Sequence, residues 1–224
     1  MTWLLRAGLA LALTAPSAAT AQTAPLPRPT RQTAVPTPGG PAVVPAATVQ
    51  PCDATSIDSP PGKAWWAQEH WRYQTDAEAI AAYQALVNNG KGTSPWPTWY
   101  QPAPGLGTAT PPLTLLPVGT RFQMALKPGQ KKESPGAWGT FDYIADVQDV
   151  REFLAVIHLF KPEIDRVVTY EVTQMLPVLI GPVGPQVDTE SCQYYPGRWS
   201  QFQMLPKWDE VMGYLKVIEV RTIQ

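Results

Sequence analysis

Little in this sequence matches the marks by which catalytic centres are usually recognised. It has two cysteines and two histidines in 224 residues. It has no zinc-ligand spacing, no glycine-rich phosphate loop and no specific Ser/His/Asp set. Gly181-Pro-Val-Gly184 holds two glycines, but the prolines make it a kinked connection and not a nucleotide fingerprint. His70 has neither a second histidine nor a carboxylate as a sequence partner, which makes it a poor ligand, and no metal site is expected. Charged residues are only 16% and the formal net charge is -1. That balance excludes a broad nucleic-acid or anionic-membrane surface but leaves room for a local anion pocket. No apolar run reaches the roughly 20 residues needed to span a bilayer.

What the chain does have is proline, 26 residues of it, and nine tryptophans. Residues 1–21 read as a signal peptide, with Arg6 at the start, an apolar run over 7–15 and Ala19-Thr-Ala21 as the cleavage site. Residues 22–51 are Pro-, Ala- and Thr-rich and bury too little to offset ordering entropy, so a disordered linker is expected. The chain is thus expected to be exported, either secreted or periplasmic. Export favours a disulfide between Cys52 and Cys192 over two free thiols. On the loop-entropy model a closure of that length contributes about 4–5 kcal/mol. A cysteine nucleophile is disfavoured, because no histidine lies near either thiol in sequence and the two can pair.

Residues 52–224 fit one domain by length. Ser59-Pro-Pro-Gly62 predicts a turn, and the aromatics around His70 a core edge. Residues 75–88 predict a helix: Thr75 and Glu78 form a capping box, Ile80, Tyr83, Leu86 and Val87 share a face, and Gly90 suits the C-cap. Residues 146–160 predict a second helix, capped by Asp146 and stopped by Pro162, with His158 near its C-terminus. Residues 167–172 and 215–223 predict strands, and 127–133 a hairpin turn. Pro177, Pro182 and Pro185 predict short extended pieces between them. The fold class is α+β, a small twisted, mostly antiparallel sheet with flanking helices after a disordered Pro-rich segment. Residues 194–204 mix Tyr, Trp, Phe, Arg and Gln, which suits either stacking on a planar ligand or filling the domain's own core.

The order Tyr170-Glu-Val172, Leu176-Pro-Val178, Gly181-Pro-Val-Gly-Pro185, Gln201-Phe202 and Gly213-Tyr-Leu215 resembles the end of the tuberculosis necrotizing toxin domain, a family of secreted NAD glycohydrolases. The resemblance covers residues 113–224 and leaves 52–112 as a helical and Trp/Pro-rich extension. Ser94-Pro-Trp-Pro is either the counterpart of the family's Trp-Pro approach or a rigid surface loop. Gly119-Thr-Arg-Phe122 is similar to the family's Pro-Gly-Thr and Arg-Phe segment if a gap is closed, whereas an ungapped alignment puts Met124 at the arginine position. Ser134-Pro135 and Gly139-Thr-Phe141 resemble its Ser-Pro-x-Gly-Thr-Pro segment. The family's second substrate arginine has no counterpart in place. Arg151 is either its stand-in or a solvated helix residue paired with a carboxylate. The family's histidine before the Tyr-x-Val strand is also missing.

The resemblance implies hydrolysis of the nicotinamide–ribose bond of NAD or NADP, with no separate cofactor, a dinucleotide as small-molecule partner and room for an immunity protein. That chemistry passes through an oxocarbenium-like transition state. It asks for a cation for the diphosphate, an aromatic wall for the nicotinamide and a polar group beside C1′. The candidates are Arg121 or Arg198 for the first, Phe122, Trp138 or Trp199 for the second, and Gln201, with Glu171 as rival, for the third. Gln201 and Arg121 are the expected catalytic pair. The alternative is a non-catalytic nucleotide- or protein-binding module on a degenerate form of the same fold.

Overall fold

The computed structural model describes residues 52–88, 99–102, 111–207 and 209–224. The expected signal peptide and linker, Ser94-Pro-Trp-Pro and Gly90 lie outside them. The chain divides into two units, 1–48 and 49–224, and all described residues belong to the second. Among the described residues no helix is long and apolar enough to cross a membrane.

The expected turn at Ser59 is the start of a helix, α1 (Pro60–Glu69). Ser59 Oγ accepts from the Gly62 N–H at 3.1 Å, and two prolines in the first turn lose nothing, because those N–H groups would be unpaired in any helix. The second helix, α2 (Asp76–Asn88), starts as expected: Glu78 N–H donates to Thr75 Oγ1 at 3.2 Å and Thr75 N–H to Glu78 Oε2 at 3.1 Å. The two helices pack through Trp65 and Tyr83, whose rings are 5.4 Å apart. Tyr83 donates to the Ala54 carbonyl at 2.6 Å. With Val187 and Tyr194 these residues form a satellite core.

The α+β fold has antiparallel strands spread over three sheets. The four-stranded sheet runs β1 (Leu113–Leu116), β5 (Leu176–Pro182), β8 (Ser200–Met204), β3 (Trp138–Gly139). The three-stranded sheet runs β2 (Arg121–Leu126), β4 (Arg166–Val172), β9 (Leu215–Thr222). The strands β6 (Gln186–Asp188) and β7 (Gln193–Tyr195) pair by themselves. Strand β5 is continuous, not broken into pieces, because Pro177 and Pro182 sit near its ends, where the missing N–H costs least. The two larger sheets enclose one core: Phe122 and Met124 of β2, Tyr170 of β4, Leu176 and Val178 of β5, and Phe202 of β8. Burial alternates along β2, as a half-buried strand requires.

The sheets meet where Gln123 N–H donates to the Thr140 carbonyl at 2.8 Å and Thr140 N–H returns a bond at 3.0 Å. Gly139 permits this approach. A Cβ there would lie 2.5 Å from the Phe202 ring and 2.8 Å from the Phe122 ring.

The helix expected over 146–160 is much shorter, α3 (Val147–Glu152), capped by Asp146 as expected. The chain leaves the helix through Ala155, at φ 48. The Arg151 guanidinium then binds the carbonyls of Val156 and Pro162 at 2.7 and 2.9 Å, pinning the segment in irregular form. Arg151 is therefore neither solvated nor paired with a carboxylate. The apolar residues Leu154 and Ile157 remain buried, but from a loop. Cys52 and Cys192 are bonded, with their Cα atoms 5.7 Å apart.

Candidate active site

At the seam between the two sheets lies a cavity of about 210 Å³. Strand β2 supplies Gln123 and Ala125, β3 supplies Trp138 and Gly139, β8 supplies Gln201, and the loop after α3 closes it with Leu154, Phe160 and Lys161. Gln201 is there because strands alternate. Its neighbour Phe202 fills the core between the sheets, so Gln201 faces the other way. Gln201 is 4% exposed, yet its Oε1 has no hydrogen-bond partner. A buried orphan acceptor costs about 1–3 kcal/mol, and it is ready to accept from a bound molecule. Its backbone is held beside an anchored residue: Asp142 Oδ2 accepts from Ser200 N–H at 2.7 Å and from Ser200 Oγ at 2.6 Å. Gln123 is engaged, its Oε1 accepting from Ile144 N–H at 2.8 Å.

Lys161 is the cavity's cation. Its ammonium donates to the Ala125 carbonyl. Burial, with the like charges of Lys127 and Arg151, pushes the amine down to about 8. Trp138 is half-buried and Phe160 is 36% exposed, so both offer ring surface to the cavity.

Of the residues expected at the site, the structure brings together Gln201 and Trp138. Arg121 is elsewhere: its side chain is 63% exposed and binds Glu171 across the β2–β4 pair at 2.8 Å. That pair also takes Glu171 out of the rival role. Met124, which the ungapped alignment places at the arginine position, lines the cavity. Phe122 is enclosed in the core between Tyr170 and Phe202 and offers no face to a ligand. Trp199 stacks on Phe153 at 4.9 Å. Arg198 binds Glu69, a fully buried carboxylate that also holds Arg72, and lies 3.8 Å over the Tyr100 ring. The aromatics of 194–204 other than Trp199 are buried in the domain's own cores.

His158 is not at a helix end. Its backbone and ring nitrogens both bind Asp188 Oδ2. Burial pushes the Asp188 carboxyl up, but hydrogen bonds from His158, Glu190 and Ser191 outweigh it and hold the group below its usual value. The reading of 146–160 as one helix hid Phe160 and Lys161 from the sequence analysis. One signal was present: Pro162 disfavours the helical conformation at Lys161. Among the described residues, no cluster of three or more His, Cys, Asp or Glu side chains is placed to hold a metal ion.

No family model matches the chain. No curated protein matches it. Among solved structures, the chain is similar to Tne2, solved in complex with Tni2, at 19% identity over 57% of this chain and 100% of that one, with a TM-score of 0.42. It is similar to Rhs1-CT, solved with its cognate immunity protein RhsI1, at 14% identity over 52% of this chain and 84% of that one, with a TM-score of 0.38. It is also similar to Tse6, solved in complex with Tsi6, at 18% identity over 49% of this chain and 73% of that one, with a TM-score of 0.33.

Proposed function

We propose that this chain hydrolyses the nicotinamide–ribose bond of NAD or NADP, as an exported, toxin-like enzyme. The observation that carries the reading is the buried, unpartnered Oε1 of Gln201 in a cavity that also holds Lys161 and the Trp138 ring. Trp138 and Phe160 wall the nicotinamide. Gln201 accepts from a ribose hydroxyl or from the attacking water, where positive charge develops at C1′. Nicotinamide leaves neutral with the electron pair of the broken bond, water adds to C1′, and its proton passes to solvent. A volume of about 210 Å³ is below the roughly 300–1,000 Å³ of whole-ligand pockets, so it takes the nicotinamide riboside end and leaves the rest outside. An immunity protein covering this mouth belongs to the same reading.

A second reading, nucleotide or protein binding without turnover, is favoured by one observation. Neither Arg121 nor Arg198 lines the cavity, whose cation is a lysine. Nicotinamide release from NAD and NADP by the purified, disulfide-bonded protein separates the two. Turnover is expected, and Gln201→Ala should lower it 10²–10³-fold, as for loss of one preorganised transition-state hydrogen bond, about 3–4 kcal/mol. Arg121→Ala should stay within about twofold of wild type, since an exposed ion pair contributes about 0–1 kcal/mol. Binding without release would establish the second reading. Neither binding nor release would overturn the hydrolase reading and nucleotide binding alike, and leave protein binding.

A further inference from the structure

We propose that Lys161 and Lys127 form a diphosphate-binding subsite at the mouth of the Gln201 cavity. The cavity does not end at Lys161. A second hollow of about 400 Å³ adjoins it and shares Met124, Ala125, Trp138, Phe160 and Lys161 with it. The far side of this groove is the β2–β3 turn, with Lys127 and Gln130. Lys161 thus stands where a small, largely apolar cavity opens into a broader groove with a second cation on its rim.

The charge pattern there is unbalanced. Among the described residues no carboxylate pairs with Lys161, and the charges that act on it, Lys127 and Arg151, are both positive. Of the carboxylates near the groove in sequence, Asp165 pairs with Arg166 at 3.0 Å and Glu133 with Lys132 at 3.9 Å, and Glu163 is exposed and lines a different hollow with Arg151 and His158. Arg151 is tied to two carbonyls behind the loop. A half-buried ammonium with cationic neighbours has lost much of its hydration without gaining a counter-ion, and an anion in the groove would supply one. Two cations along one groove suit an elongated anion of several charges over a single carboxylate. With the amine near 8, Lys161 is still mostly charged at pH 7.

The choice of a diphosphate rests on the reading above: with the nicotinamide riboside in the cavity, the next group of the dinucleotide is its diphosphate, and the groove is where it emerges. The turn's exposed lysine and the anchored one then differ in role. Lys161 fixes position, and Lys127 adds attraction that salt screens.

The test is calorimetric titration of inorganic pyrophosphate into the mature, disulfide-bonded protein at pH 7 and low salt. Saturable binding is expected, weakened at least tenfold by Lys161→Met and severalfold by Lys127→Met, and unchanged within about twofold by Lys131→Met, a lysine of the same turn outside the groove lining. In wild-type protein, pyrophosphate should also slow acetylation of Lys161 severalfold by peptide mass, a readout that needs no variant to fold. Absent binding, binding indifferent to Lys161→Met, or an unprotected Lys161 would overturn the subsite. Pyrophosphate binding through Lys161 without nicotinamide release would keep the subsite and sink the hydrolase reading. Release with a Lys161 indifferent to pyrophosphate would do the reverse.

Discussion

At the scale of single residues, the site depends on one missing side chain. Gly139 lets β3 approach Phe202 and Phe122, two buried rings in edge contact at 4.9 Å. A methyl group there has nowhere to go, because both rings are enclosed by the core. Gly139→Ala should therefore cost about 1–3 kcal/mol, the usual range for overpacking, read as a lower midpoint in urea. Since β3 also presents Trp138 to the cavity, pyrophosphate and nucleotide binding should weaken with it. Gln201 was legible in the sequence through its place in an ordered set of motifs. Lys161 was not, because a lysine before a proline carries no chemical signature; its isolation from carboxylates is a three-dimensional fact.

At the scale of elements, the segment after α3 shows what periodicity can and cannot tell. Val150, Leu154 and Ile157 are all buried, as a helical repeat predicts. Burial needs only inward-facing side chains, and here Arg151 takes the carbonyls of Val156 and Pro162. The loop's other anchor is Asp188, which binds His158 and the Glu190 and Ser191 amides. In the folded protein this carboxyl holds its proton more weakly than in the unfolded chain. Its contribution is therefore present above the unfolded value, near 4, and is lost as pH falls through the lower folded value. Asp188→Asn should lose about 1–3 kcal/mol at pH 7, and its gap from wild type should close below about pH 4, measured by urea unfolding at pH 3, 5 and 7. Loosening this anchor should also disturb Phe160 and Lys161, two and three residues beyond His158.

For the whole molecule, the class of fold and the β-branched strands β4 and β9 were legible from composition and alternation. The division into three sheets was not, since it depends on long-range pairings such as β1 with β5 and β4 with β9 that no local pattern encodes. The disulfide was legible from compartment and number alone. It closes a separation of 140 residues, so replacing both cysteines by serine should lower stability by about 4–5 kcal/mol less any native strain, seen as a shifted denaturation midpoint without a change of fold. An unchanged midpoint would mean that the unfolded chain is already compact around that closure.

The same bond makes the chain from Cys52 to Cys192 a covalent ring, and the proposed site straddles its boundary: Trp138 and Lys161 lie on the ring, Gln201 on the tail beyond it. A protease that cuts the ring once leaves both pieces on one particle, because the sulfur bridge still joins them. Such a cut is silent while the bond lasts. In a reducing compartment a cut between Lys161 and Cys192 becomes a separation, and the parts of the site on its two sides are then joined only by non-covalent packing, that of β3 on β8 among it.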